Sequence, residues 1–199
     1  MAVTHRVQAP EINPMRISLD RYHAFIEAGL FEDGVRGELL EGVLVAMSPR
    51  GAPHDDAIAW LNREFVLALS DVFQVRVQSA LTFKPSGSEP EPDLAVVAHD
   101  APRPFHPGEA RLVIEVADSS LRTDRQYKTF LYAKAGIPEY WIVNLPDRRV
   151  ERYTLPRGDT YHEITELTAG DELTPRLGRP TIAVADLFAA AFREGPGVG

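Results

Sequence analysis

A single carboxylate interrupts an otherwise apolar strand. Leu112-Val113-Ile114-Glu115-Val116 is a run of aliphatic and β-branched residues broken only by Glu115. Side chains alternate along a strand, so Leu112, Ile114 and Val116 share one face and Val113, Glu115 and Ala117 the other. An unpaired carboxylate among such neighbours is costly, and any fold of this chain must provide for it. A second apolar segment, Leu94-Ala95-Val96-Val97, begins directly after Glu91-Pro92-Asp93. If the two strands are adjacent, Asp93 and Glu115 converge. A divalent cation is the natural compensation, because hard oxygen ligands suit Mg²⁺ or Mn²⁺. The polar turn Asp118-Ser119-Ser120 then leads to a helix carrying Asp124 and Lys128, four residues apart and therefore on one face. A lysine near a metal can hold a water or stabilise developing phosphoryl charge. Metal, carboxylates and one lysine together point to phosphodiester hydrolysis.

The rest of the chain reads as a mixed α/β domain. Residues 1 to 15 hold two prolines and no clear period, which suggests a flexible N-terminal arm. Ser18 caps a short helix over Leu19 to Ala28 that Gly29 stops. Glu38 to Met47 reads as two strands joined by a tight turn at Glu41-Gly42. His54 to Ser70 returns to helical spacing, with Ala57, Ile58, Leu61 and Phe65 on one face. Val72 to Phe83 is expected to be one long strand or a strand pair, and strands follow at 94 to 97 and 111 to 117. Arg122 to Ala135 is a helix, closed by Gly136 and Pro138. Glu139 to Asn144 is an aromatic, β-branched strand. A hairpin of Val150 to Thr154 with 159 to 166 is expected to turn at Leu155-Pro156-Arg157-Gly158. Ile182 adds a short edge strand, Val184 to Phe192 a last helix, and residues 193 to 199 a disordered tail. Strands interrupted by two good helices indicate an α/β (α+β) fold with a central mixed sheet, and 16 to 192 reads as one domain.

Composition narrows the function classes. The 199 residues suffice for one sizeable core, with 44% hydrophobic and 25% charged residues, as in ordinary globular chains. There is no cysteine, which removes disulfides and thiolate chemistry and fits a cytoplasmic protein. No apolar run is long enough for a membrane helix, and the N-terminus shows no apolar signal core. The net charge of −8 argues mildly against a high-affinity non-specific nucleic-acid binder, although bound metal would offset part of it.

At this point the chain resembles a known family. The stretches Gly37-Glu38-Leu39-Leu40-Glu41-Gly42, Met47-Ser48-Pro49 with His54, Glu89-Pro90-Glu91-Pro92-Asp93-Leu94, Ile114 to Leu121, Asp124-Arg125-Gln126-Tyr127-Lys128 and Leu131 to Trp141 resemble the Uma2 family (DUF820), within the PD-(D/E)xK nuclease superfamily. The resemblance covers roughly residues 16 to 192. It implies a restriction-endonuclease-like core, a mixed sheet flanked by helices, and DNA as the substrate. It maps the superfamily's aspartate to Asp93 and its acidic second residue to Glu115, with the Val116 carbonyl as a third metal ligand. The superfamily lysine would fall two residues after Glu115, where this chain has Ala117. The family pattern takes the lysine from the following helix, here Lys128, with Asp124 positioning it. Glu38 matches the family's upstream glutamate, which would complete the metal shell, and is expected here to act as an auxiliary acid. His54, a proton shuttle or phosphate contact, and Gln78, a hydrogen-bonding residue near the metal, are softer candidates.

The leading expectation is a Mg²⁺- or Mn²⁺-dependent DNA endonuclease acting through Glu38, Asp93, Glu115 and Lys128. A catalytically weak or inactive binding or assembly module on a nuclease fold is one alternative, since fold does not dictate function. A metal-dependent hydrolase of another phosphoester is a third, and would show a pocket too narrow for duplex DNA. A homodimer is a further expectation, formed through strand 139 to 144 or the C-terminal hairpin.

Overall fold

The apolar runs assemble one central sheet. A computed structural model describes residues 14–30, 36–47, 49–101 and 106–193. The six-stranded sheet has the order β3-β4-β5-β6-β7-β8, with β3 at Phe73–Val77, β4 at Leu94–Ala98, β5 at Leu112–Ala117, β6 at Glu139–Asn144, β7 at Arg149–Arg157 and β8 at Thr160–Leu167. Neighbouring strands are antiparallel except β5 and β6, which run parallel. The helical connection between those two is the crossover that a parallel pair requires. A separate hairpin, β1 (Gly37–Leu40) with β2 (Val43–Ala46), and a small pair, β9 (Glu172–Leu173) with β10 (Ile182–Ala183), lie outside the sheet.

Helices cover both faces, and the alternation in β5 decides what each face meets. Leu112, Ile114 and Val116 join Leu94, Val96, Trp141 and Val143 beneath α2 (Ala52–Leu69) and α5 (Val184–Ala191). Phe65 of α2 meets Trp141 edge-on at 5.7 Å between ring centroids. Val113 and Ala117 face the other way, into a core shared with Leu131, Tyr132 and a group of buried tyrosines on β6 to β8. Glu115 lies on that second face, under the crossover helix. The first helix, α1 (Leu19–Glu27), carries its Ser18 cap, but buries only Tyr22.

The structure departs from the sequence reading at several places. Strand β3 stops at Val77, because Gln78 adopts a left-handed backbone (φ 44) and turns the chain out of the sheet. Residues up to Phe83 therefore form no long strand; a short 3₁₀ turn, Lys84–Ser86, follows. The β7–β8 hairpin is longer than expected. Pairing continues to Arg157↔Thr160, and the turn sits at Gly158-Asp159 rather than Leu155 to Gly158. The expected helix 122 to 135 is real but not uniform. It runs as α3 (Leu121–Thr123), a π turn (Asp124–Lys128) and α4 (Thr129–Lys134). Strand β6 is paired on both sides and so offers no edge to a second chain, whereas β8 is an outer strand. Most of the N-terminal arm, residues 1 to 13, and residues 194 to 199 of the tail lie outside the described residues. Among the described residues, no helix is long and apolar enough to cross a membrane.

Candidate active site

Pairing brings the two strand carboxylates together. β4 and β5 are neighbours in the register Leu94↔Ile114, and one step further sets Asp93 against Glu115. Pro92 precedes Asp93, which bends into the start of β4. The Asp93 N–H donates to Glu115 Oε2 at 3.3 Å, and the Val116 N–H donates to Asp93 Oδ2 at 2.8 Å. Each backbone thus fixes the other strand's carboxylate.

The helix supplies the cation. Lys128 Nζ donates to Glu115 Oε1 at 2.9 Å and to Glu38 Oε2 at 2.8 Å. Glu38 comes from β1, which is tied to the loop before β4 by paired hydrogen bonds between Leu39 and Glu89. Its Oε2 also accepts the Glu91 N–H at 3.2 Å. The π turn contributes to this placement. The Asp124 carbonyl accepts the N–H of Thr129 and its hydroxyl, and the extra residue in the turn leaves both Asp124 and Lys128 buried. The Asp124 carboxylate accepts the Ser120 hydroxyl at 2.6 Å, whereas the direct partners of Lys128 are Glu38 and Glu115. Asp124 acts on the lysine through its field rather than through contact.

His54 joins the cluster from the first turn of α2. Its Nε2 is 3.2 Å from Asp93 Oδ2, and its Nδ1 is 3.3 Å from Asp55. Burial lowers its proton affinity, but the two aspartates outweigh burial and hold it above the ordinary histidine value. The Gln78 side chain faces a different concavity. The residue lies just beyond β3, where its N–H donates to the Asp93 carbonyl, and it lines that concavity with Arg50, Asp55 and Asn62. Two contacts had no signature in the spacing. Tyr132 donates its hydroxyl to Glu115 Oε1 at 2.7 Å, and Ser120 holds Asp124. Both positions read in sequence as ordinary core and turn residues.

Charge is out of balance. Glu38, Asp93, Glu115, Asp124 and Lys128 are each under 9% exposed, and they surround a concavity of about 100 Å³. Among the buried groups, four carboxylates face one lysine and one histidine, and Glu91, Asp118 and Arg50 also line the concavity. Burial drives Glu115 well above the usual carboxylate range. Lys128 opposes that rise, and Asp93, Asp124 and Glu38 add to it. Asp124 is raised in the same way, chiefly by burial. Burial disfavours the Lys128 ammonium, but Glu115, Glu38 and Asp124 more than compensate and keep it charged. The donor chemistry therefore fits a hard divalent cation. Among the described residues no three His, Asp or Glu side chains form a ready-made cage. Mg²⁺ does not need one, since it is usually held by one or two carboxylates, water and substrate phosphate oxygens. Asp93 and Glu115 are the pair placed to do this.

Comparison with known proteins identifies the family and a similar fold. The family model Uma2, described as "Putative restriction endonuclease", matches residues 19–186. Among solved structures, a protein from Anabaena variabilis ATCC 29413, described as "a putative nuclease belonging to DUF820", has a similar fold. Its TM-score is 0.68 at 16% identity, covering 88% of this chain and 99% of that one. No curated protein matches the chain.

Proposed function

Because the chain belongs to the Uma2 family, matched over residues 19–186, we propose that it is a metal-dependent nuclease that hydrolyses DNA phosphodiester bonds. One observation carries the proposal: Asp93 and Glu115 meet across β4 and β5 with the Lys128 ammonium hydrogen-bonded to Glu115. Asp93 and Glu115, with the Val116 carbonyl, would hold Mg²⁺ or Mn²⁺. When bound, the ion polarises the phosphate and lowers the pKa of the attacking water. Lys128 places its ammonium beside that pair, where it orients the water or offsets charge on the phosphoryl oxygens. Glu38 keeps the lysine there as a positioning residue rather than as a separate acid. His54, hydrogen-bonded to Asp93 and raised in proton affinity by Asp93 and Asp55, is placed to give a proton to the departing oxygen.

The test is cleavage of supercoiled plasmid with Mg²⁺ or Mn²⁺ by the wild type and by Asp93→Ala. Cleavage that requires metal and is lost in the variant supports the proposal. Intact metal binding and cleavage in Asp93→Ala would show the assignment to be wrong. Hydrolysis of a smaller phosphoester is favoured by one feature, the recessed concavity of about 100 Å³. Turnover of mononucleotide esters with plasmid left intact would select it.

A further inference from the structure

Glu115 does not offer its two oxygens equally. Oε1 takes two donors, the Tyr132 hydroxyl at 2.7 Å and Lys128 Nζ at 2.9 Å. Oε2 takes one longer bond, from the Asp93 N–H at 3.3 Å. Tyr132 follows Lys128 by one helical turn, so both donors descend from the same face of the crossover helix onto one oxygen.

The tyrosine ring itself needs no hydroxyl. It is fully buried, with Tyr140 at 4.9 Å and Phe83 at 6.1 Å between ring centroids, contacts that phenylalanine would keep. A hydroxyl in that position has one chemical consequence. It occupies the Glu115 oxygen turned towards the helix and leaves the oxygen beside Asp93 free of strong donors.

We propose that Tyr132 is a positioning residue of this centre: with Lys128 it locks Glu115 so that Oε2, on the Asp93 side, is the oxygen presented to a divalent cation. This rests on the metal reading of the site. Hydrogen-bond partners of a ligating carboxylate typically contribute tenfold to a hundredfold in metal affinity.

The experiment pairs Tyr132→Phe with Tyr161→Phe. Tyr161 also loses a buried hydroxyl bond, to the Ile137 carbonyl at 2.8 Å, but does not touch the centre. Calorimetric Mn²⁺ titration should show affinity weakened roughly tenfold or more in Tyr132→Phe and unchanged in Tyr161→Phe. A double-mutant cycle of Tyr132→Phe with Glu115→Gln, read by thermal unfolding without metal, should be strongly non-additive. Wild-type Mn²⁺ affinity in Tyr132→Phe, or additive melting shifts, would overturn the inference and leave Tyr132 a core residue. A wild type that binds no Mn²⁺ would remove the metal reading, and the metal-free cycle would still decide whether Tyr132 acts on Glu115.

Discussion

Replacing Lys128 by methionine should unfold the protein more readily than any surface change, and the size of the effect can be worked out. The side chain is 5% exposed and bridges Glu38 and Glu115 at 2.8 and 2.9 Å. Methionine fills a similar volume, so the loss is mainly of charge. Without metal, two buried carboxylates then face each other with no cation between them. Breaking a buried pair by removing one partner costs about 3–5 kcal/mol. The carboxylates have one escape, which is for one of them to take up a proton. At pH 7 that costs an ordinary glutamate roughly 3–4 kcal/mol, which caps the loss; Glu115, whose carboxyl burial already raises in the wild type, makes it smaller. For a domain of this size, about 2–4 °C of melting temperature is expected per kcal/mol, so the drop should be at most about 15 °C. Because the escape is protonation, the deficit should shrink as the pH falls towards 5. Adding Glu38→Gln to Lys128→Met removes one of the two opposed charges and should recover a large part of the loss. The assay is scanning calorimetry in chelator at pH 7 and pH 5. A melting point within about 3 °C of wild type at pH 7 would refute the claim that this lysine is the structural counter-ion of the cluster.

Other predictions concern the scaffold. Gly42 sits at φ +80 in the β1–β2 turn, and an added Cβ would lie 3.0 Å from the Ile17 carbonyl oxygen. Gly42→Ala should therefore cost roughly 1–3 kcal/mol, read as a lower urea midpoint. Burial raises the Glu151 carboxyl, but hydrogen bonds from Arg125, Asn144 and Tyr153 overcome it and hold the group below the usual range. Its stabilisation is thus present above the unfolded-state value and lost as the pH falls through the lower folded one. Glu151→Gln should be destabilised by about 1–2 kcal/mol at pH 7, and the gap to wild type should close in acid; a gap that widens in acid would contradict the sign. Phe65→Ala, at a fully buried site against Trp141, should cost about 3–5 kcal/mol in chemical denaturation.

The parts of the site that sequence made legible were those set by strand alternation and by a single helical turn. Glu115 breaks an apolar strand, Asp93 opens another, and Lys128 follows on the next helix. Each position is fixed by local geometry, and adjacency of β4 and β5 does the rest. Glu38 and His54 were identified only through the family resemblance, since nothing local ties a hairpin glutamate or a helix-start histidine to a sheet 40 to 80 residues away. Gln78 was read within a strand, but its left-handed backbone ends β3 before it, and no glycine or proline marks that position. Leu155-Pro156-Arg157-Gly158 has turn-like composition, yet the strand pairing overrides it and carries the turn to Gly158-Asp159. Tyr132 could not be recognised as a partner of Glu115, because its aromatic ring serves the core whether or not its hydroxyl serves the carboxylate. The π turn likewise has no periodic signature distinguishing it from a plain helix.

The most direct test of the central claim is a calorimetric titration of Mn²⁺ into the wild type and Glu115→Ala, with plasmid nicking read on the same samples. Binding and nicking in the wild type that both vanish in Glu115→Ala are the predicted result. It would establish the carboxylate pair across β4 and β5 as the metal centre of a nuclease. Equal Mn²⁺ binding in both proteins, or none in the wild type, would contradict the account and leave Glu115 as a structural carboxylate neutralised by Lys128.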